Sequence, residues 1–138
     1  MSRYLVSGGA GFIGSHVVDA LVARGDTVRV VDDLSTGRRD NLPPDDVVEF
    51  VEGDLAASGV ATEAVGGVEW VIHLAAIPSV PRSVQDPVSS HRANVDGTLR
   101  LLTAARDARV KRVVYASSSS VYGDSPTLPK DEAMPPNP

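Results

Sequence analysis

A run of glycines near the N-terminus constrains the fold of this chain more than any other feature. Gly8, Gly11 and Gly14 are spaced by three, and they follow directly on the strand-like residues 4–7. An apolar helical pattern begins immediately after them and ends near Gly25. This order of strand, glycine turn and helix lets the backbone approach a phosphate, which the free N–H groups and the helix dipole then bind. The motif predicts a dinucleotide-binding unit.

The composition narrows the class of protein. The 138 residues suffice for one domain with its own core, and 42% hydrophobic and 22% charged residues are typical of a globular chain. A net charge of −5 argues against a nucleic-acid partner. The lack of cysteine excludes thiolate chemistry, and the three histidines share no metal-ligand spacing, so no metal site is predicted. Because no apolar run approaches the ~20 residues that span a bilayer, we expect no membrane contact and a cytoplasmic location.

Strand-like and helical segments alternate along the chain. The predicted strands are residues 4–7, 27–31, 47–51, 69–74 and 112–116, and the predicted helices are 12–24, a weak one within 56–67, and 87–108. This alternation predicts an α/β fold, a Rossmann-type doubly wound parallel sheet with right-handed crossovers. Residues 34–46 and 77–85 are predicted as loops. We expect residues 1–123 to form a dinucleotide-binding domain, and 124–138 to be a loop leading to a catalytic and substrate region absent from this chain.

The predicted helix 87–108 has a clear start and an unusual interior. Asp86 and Pro87 supply an N-cap and a first-turn proline. One stripe carries Val88, Arg92, Val95, Leu99 and Leu102. Asn94 and Gly97 lie inside the helix against propensity, which often marks a working residue or a close packing point.

Acidic residues follow the second predicted strand. Asp32 lies 18 residues beyond Gly14, close to the ~20 expected for the acid that accepts hydrogen bonds from the adenosine ribose. Its charge would repel a 2′-phosphate, so NAD is favoured over NADP. Arg38 and Arg39 argue for NADP instead, because an arginine at this place can bind the 2′-phosphate.

Two further strand ends carry polar residues. His73, in the fourth predicted strand, is interpreted as a packed residue rather than a catalyst. The serine run 117–120 lies between a predicted buried strand and Tyr122. Because open α/β sheets bind ligands at the carboxyl edge, this run is interpreted as part of a site rather than as a linker.

Several motifs together resemble the extended short-chain dehydrogenase/reductases, and within them the NAD-dependent epimerase/dehydratases that act on nucleotide sugars. They are Ser-Gly-Gly-Ala-Gly-Phe-Ile-Gly-Ser at 7–15, Asp-Asp-Leu-Ser-Thr-Gly at 32–37, Gly-Asp-Leu at 53–55, His-Leu-Ala-Ala at 73–76, Asn-Val-Asp-Gly-Thr at 94–98 and Ser-Ser-Ser-Val-Tyr-Gly at 118–123. The sequence is most similar to the N-terminal part of the UDP-hexose 4-epimerases. Residues 79–83 resemble the branch that also handles UDP-N-acetylhexosamines.

The resemblance implies NAD as the cofactor and a role for each matching residue. Those implied to hold NAD are Gly8, Gly11, Phe12, Ile13 and Gly14 at the pyrophosphate, Asp32, Asp33, Ser35, Thr36 and Gly37 at the adenosine ribose, Asp54 and Leu55 at adenine, Leu74, Ala75 and Ala76 along the dinucleotide, and Asn94 at the nicotinamide end. Ser118 matches the family's catalytic Ser/Thr, and the sugar would be faced by Ser79, Ser118, Ser119 and Ser120.

The implied reaction is epimerisation at C4 of a UDP-hexose by transient hydride transfer to NAD. The family's base is a tyrosine in Tyr-x-x-x-Lys, and no tyrosine of this chain has a lysine at that spacing. We therefore expect an N-terminal part of a longer enzyme that binds NAD but is inactive alone. The family usually forms homodimers through two helices of each subunit, and we expect one for the full-length protein.

Two alternatives remain open. A nucleotide-sugar 4,6-dehydratase or a decarboxylase shares the cofactor half, but the dehydratases place Asp-Glu where this chain has Ser119 and Ser120. A non-catalytic NAD-binding module would explain the missing Tyr-x-x-x-Lys. The intact surroundings of Ser118 argue against that module.

Overall fold

A five-stranded parallel sheet forms the centre of the computed structural model, which describes all residues from Met1 to Pro138. Its strands are β1 (Arg3–Ser7), β2 (Thr27–Asp32), β3 (Glu49–Glu52), β4 (Trp70–His73) and β5 (Arg112–Tyr115). They lie in the order β3-β2-β1-β4-β5, so the direction of winding reverses between β1 and β4. This confirms the predicted doubly wound α/β fold. Such a reversal opens a crevice at the carboxyl edge of a sheet.

Helices cover both faces of the sheet. They are α1 (Phe12–Ala23), α2 (Val60–Val65), α3 (Val80–Gln85), α4 (Pro87–His91) and α5 (Gly97–Asp107), with a π turn at Arg92–Asp96 and 3₁₀ turns at Arg39–Asn41 and Ser119–Tyr122. None combines the length and apolar character needed to cross a bilayer.

The core has two layers because successive strand residues point to opposite faces. On one face, Leu5 and Val31 pack with Leu101 of α5 and with the small residues of α2. On the other face, Val6 and Val30 pack against α1. Leu5 and Leu101 are each 0% exposed, so α5 shields this part of the core from solvent.

Three predicted boundaries were wrong. Residues 77–85 are not a loop throughout, because Ser79 Oγ accepts a hydrogen bond from Arg82 N at 3.3 Å and caps α3. The third strand begins at Glu49 rather than at Val47, since the amides of Val47 and Val48 both donate to Pro44 O in a turn. The predicted helix 87–108 is interrupted by the π turn, although Asp86 Oδ1 caps its start as predicted, accepting from Ser89 N at 3.0 Å.

The apolar residues of the predicted stripe in 87–108 are exposed on both sides of the π turn. Val88 is 76% exposed and Leu99 is 62% exposed. The buried side consists instead of small residues with Leu101: Gly97, Ala104 and Ala105. Small side chains let the helix lie close to the core. Gly97 is nevertheless no tight packing point, because a Cβ there would lie at an ordinary 3.5 Å from Leu55 Cβ.

Candidate functional site

A cavity of about 430 Å³ lies over the carboxyl edge of the sheet. The chain that leaves every strand contributes to its wall, through Gly8 after β1, Asp33 after β2, Gly53 after β3, Leu74 after β4 and Ala116 after β5. The volume is within the range of small-molecule sites, ~300–1,000 Å³. The cavity therefore occupies the place where open α/β sheets bind their ligands.

The glycine turn brings free amide groups to this cavity. Gly8 has φ +70°, and a Cβ there would lie 2.7 Å from Ala75 N, so the turn lies directly against the chain after β4. The amides of Phe12, Ile13 and Gly14 at the start of α1 donate no hydrogen bond within the protein, and no side chain caps the helix. Three N–H groups at the positive end of a helix dipole form a binding site for an anion such as a pyrophosphate.

Asp32 lines the cavity beside the glycine turn and is held by two amides. Its Oδ2 accepts from Ala10 N at 3.0 Å and its Oδ1 from Leu34 N at 2.9 Å. The residue is 8% exposed, and this burial raises the pKa of Asp32 above its ordinary value although both hydrogen bonds lower it. Each carboxylate oxygen keeps a further lone pair. Asp32 can therefore accept hydroxyl hydrogen bonds from a ligand.

The loop after β2 packs on the glycine turn. A Cβ at Gly37 would lie 2.9 Å from Ala10 Cβ, and Arg38 N donates to Ala10 O at 3.0 Å. The Arg38 side chain extends away to Asp40, at 3.5 Å. The Arg39 guanidinium lies 5.2 Å from the centre of the Phe50 ring and pairs with Asp45. Neither arginine lines the cavity.

An ion pair joins the wall after β3 to the π turn. Asp54 Oδ2 accepts from Arg92 Nε at 2.9 Å, and Asp54 Oδ1 accepts from Ala56 N at 2.7 Å. Leu55 is 7% exposed and packs in the hydrophobic core. The aspartate and the leucine therefore present a fixed polar and apolar pair to the cavity.

The wall after β4 is held by Asn94. Its Oδ1 accepts from Ile77 N at 2.7 Å, and its Nδ2 donates to Ile77 O at 3.1 Å. His73, at the end of β4, is 1% exposed, with one ring nitrogen 2.5 Å from Ser7 Oγ and the other 2.8 Å from Thr98 Oγ1. His73 does not line the cavity and is packed in the sheet, as interpreted from the sequence.

Most of the predicted cofactor residues meet at this cavity. Those that line it are Gly8, Gly11, Phe12, Ile13, Gly14, Asp32, Asp33, Ser35, Thr36, Asp54, Leu55, Leu74, Ala75 and Ala76. Gly37 and Asn94 lie behind the wall and support it through Ala10 and Ile77. Their assignment to a bound cofactor stays a prediction.

The predicted sugar residues lie outside the lining. Ser79 caps α3, and Ser118 Oγ accepts from Ser120 N at 3.2 Å and donates to Ser120 Oγ at 3.1 Å. The lining contains Ser117 of the predicted serine run and six residues that the sequence did not assign: Val31, Gly53, Ile77, Pro78, Ala93 and Ala116. Most of these follow strand ends, so the carboxyl-edge rule could have found them. Ala93 could not be found in this way, because its place depends on how the π turn docks.

We expect the free energy of unfolding to fall as the pH is lowered below about 6.5. Burial holds the pKa of His73 in the folded chain below its ordinary value of 6.5. At a pH between the lowered pKa and 6.5, the unfolded chain therefore binds more protons than the folded one. Stability therefore rises with pH through that window. Urea denaturation at about pH 5.5 and about pH 7 measures the difference. The difference in the free energy of unfolding between the two pH values should shrink in His73→Gln. An equal difference in that variant would show that His73 does not cause the pH dependence.

The chain matches one protein family along nearly all of its length. Residues 4–138 match the model of the NAD dependent epimerase/dehydratase family. The chain belongs to this family. It is 49% identical over 143 residues to a UDP-glucose 4-epimerase of Mycolicibacterium smegmatis, a match that covers 99% of this chain and 45% of that protein. It therefore spans less than half the length of this relative.

Two further relatives agree with the family. A UDP-glucose 4-epimerase of Klebsiella pneumoniae is 39% identical over 141 residues, which cover 95% of this chain and 99% of that one. The crystal structure of a Thermus thermophilus UDP-glucose 4-epimerase in complex with NAD is 42% identical, with a TM-score of 0.87. That match covers 99% of this chain and 44% of the Thermus chain.

Proposed function

We propose that this chain binds NAD and forms the cofactor-binding part of a nucleotide-sugar 4-epimerase. The observation that carries the proposal is the presence of two features in the lining of one cavity. Free amides at the start of α1 offer a site for a pyrophosphate, and Asp32 at the end of β2 offers acceptors for ribose hydroxyls. Family membership adds that relatives with this half are UDP-glucose 4-epimerases.

The residues present fit NAD in particular. A Cβ at Gly14 would overlap the Gly8 carbonyl oxygen, so the turn keeps the close backbone approach that a dinucleotide needs. Asp54 and Leu55 would flank the adenine, and Leu74, Ala75 and Ala76 would line the path of the dinucleotide. Small residues along that path leave room for the ligand.

NAD is favoured over NADP by the charges around Asp32. A 2′-phosphate would approach a buried carboxylate whose oxygens already accept two amide hydrogen bonds. The two nearby arginines do not line the cavity and pair with other carboxylates, Arg38 with Asp40 and Arg39 with Asp45. We therefore assign the NAD form to this cavity.

The chemistry of the reaction divides between the cofactor and the chain. Bound NAD supplies a hydride acceptor for C4 of the sugar and returns the hydride. Ser118 would hydrogen-bond the 4-hydroxyl, using a hydroxyl that is exposed and already ordered by Ser120 N. Ser79, Ser119 and Ser120 would face the sugar.

The base of the resembled family has no counterpart among the 138 residues. Tyr4, Tyr115 and Tyr122 lack a lysine four residues later, so none forms the Tyr-x-x-x-Lys pair of the resembled family. Proton transfer from the 4-hydroxyl needs a base, and the pair that serves as base in the resembled family is not among the 138 residues. We propose that the chain alone binds NAD without epimerising UDP-sugars.

Calorimetric titration of the purified chain tests the proposal. NAD is expected to bind and NADP to bind at least ~10-fold more weakly, a difference of about 1.4 kcal/mol. A UDP-galactose assay on the same sample is expected to show no UDP-glucose. Absence of NAD binding would contradict the cofactor assignment, whereas turnover would contradict only the claim that the chain is inactive alone.

The exposed stripe of the long helix supports a homodimer of the full-length protein. Val95, Leu99 and Leu102 are each at least 44% exposed and have the spacing of one helical face. Contiguous exposed apolar side chains mark interaction surfaces. We propose that this face contacts a second copy.

A further inference from the structure

His73 is a buried titratable residue for which the proposed reaction has no use. Its ring lies at the end of β4, 1% exposed, with the Tyr115 ring 5.5 Å away. Both ring nitrogens have hydroxyl partners, Ser7 Oγ at 2.5 Å from Nδ1 and Thr98 Oγ1 at 2.8 Å from Nε2. The direction of each of these hydrogen bonds follows from counting protons.

Ser7 indicates the first direction. Its Oγ accepts from Leu74 N at 3.2 Å and from Ala75 N at 3.4 Å, although Leu74 N also donates to Ser7 O at 3.0 Å. Because these amide donors face the lone pairs of the hydroxyl oxygen, the proton of the hydroxyl is directed at Nδ1. Nδ1 is then the unprotonated acceptor.

Thr98 fixes the second direction. Its hydroxyl donates to Asn94 O at 2.8 Å, so its oxygen faces His73 as an acceptor. Nε2 must then carry the proton and donate it. A neutral imidazole protonated at Nε2 alone meets both requirements. The lowered pKa of His73, caused by burial, agrees with a neutral ring.

This chain of bonds ends on the wall of the cavity at both sides. At one end, Ser7 Oγ accepts hydrogen bonds from the amides of Leu74 and Ala75, two residues that line the cavity. At the other end, Thr98 binds the carbonyl of Asn94, whose side chain holds both backbone groups of Ile77. The same wall lies against the glycine turn, because a Cβ on Gly8 would approach Ala75 N to 2.7 Å.

We propose that His73, as the neutral Nε2–H tautomer, is a positioning residue that fixes the cavity wall from Leu74 to Ile77 against the glycine turn. It acts through one directed series of hydrogen bonds from Ser7 to Asn94. The tautomer and the position of the wall are properties of the free chain, and only the consequence for NAD rests on the proposed function.

Nitrogen NMR of the free chain tests the tautomer. In a long-range proton–nitrogen spectrum at about pH 7, His73 is expected to show an unprotonated Nδ1 and a protonated Nε2. A proton on Nδ1, alone or together with Nε2, would overturn the proposal. This measurement needs neither a variant nor a cofactor.

Matched serine variants test the positioning role. Ser7→Ala removes the hydroxyl that joins His73 to the wall, whereas Ser90→Ala removes another buried hydroxyl, 7% exposed, outside this series. The amide resonances of residues 74–77 are expected to shift in the first variant and to stay in place in the second. Equal shifts in both variants, or none in Ser7→Ala, would overturn the positioning role.

Cofactor affinity separates this inference from the proposed function. The Kd for NAD is expected to rise about fivefold in Ser7→Ala, the effect of losing one hydrogen bond, and to stay unchanged in Ser90→Ala. A shifted wall with unchanged NAD affinity would overturn the link to the cofactor. If the unaltered chain binds no NAD, the proposed function fails, while the tautomer and the amide shifts still decide the role of His73.

Discussion

Gly14→Ala is expected to abolish NAD binding and to lower the free energy of unfolding by about 1–3 kcal/mol. The new Cβ would overlap the Gly8 carbonyl oxygen and lie 2.7 Å from Gly9 Cα. Both neighbours are backbone atoms of the turn, so neither can move without displacing the amides that face the cavity. Urea denaturation gives the loss of stability, and calorimetric titration with NAD gives the loss of binding.

Gly97→Ala is the matched control for this substitution. Gly97 is also buried and follows helical geometry, but a Cβ there would lie 3.5 Å from Leu55 Cβ, an ordinary contact. Replacing glycine by alanine in a helix then stabilises it by up to ~1 kcal/mol. Equal destabilisation by the two substitutions would show that the close approach at Gly14 does not decide the outcome.

Asp32→Asn is expected to weaken NAD binding by about tenfold or more, since hydrogen bonds to a charged group contribute about 1.5–3 kcal/mol. Both carboxylate oxygens accept from backbone amides, Ala10 N and Leu34 N. An amide side chain has one oxygen, so its NH₂ group must face one of these N–H donors. Preference for NAD over NADP should also shrink, because the repelling charge is gone. Parallel titrations with the two cofactors measure both effects.

Asp33→Asn tests whether NAD affinity depends on the position of a negative charge or only on its presence near the cavity. Asp33 is exposed and uses only Oδ1, which accepts from Ser35 N at 2.9 Å. An asparagine keeps that acceptor, so a much smaller change in NAD affinity is expected. If Asp33→Asn weakens binding as much as Asp32→Asn does, the net negative charge near the cavity matters more than the buried acceptor.

The sequence predicted the sheet and the glycine turn well because their signals are local. Each strand is an apolar run, and the turn requires glycine for reasons that act within a few residues. The acid at Asp32 was found in the same way, by its distance along the chain. Its two amide partners were not, because Ala10 and Leu34 approach it only once the loop has folded.

Errors arose where tertiary contacts decide. The period places Leu99 on an apolar stripe, but period cannot tell which side of a helix meets the core. Here the small residues Ala104 and Ala105 are buried instead. In α3, the Ser79 and Pro81 signal for a helix start was present, but the short segment has no apolar period to reveal it.

The π turn at Arg92–Asp96 restricts where residues can be inserted or deleted during the evolution of this protein. A π turn holds one residue more than the α-helical path, which rotates the preceding helix by about 100° relative to the following one. The pairing of Arg92 with Asp54 and of Asn94 with Ile77 depends on that rotation. Deleting one residue here would restore a regular helix and turn both side chains away. Insertions and deletions should therefore accumulate elsewhere, as in the exposed residues 44–47.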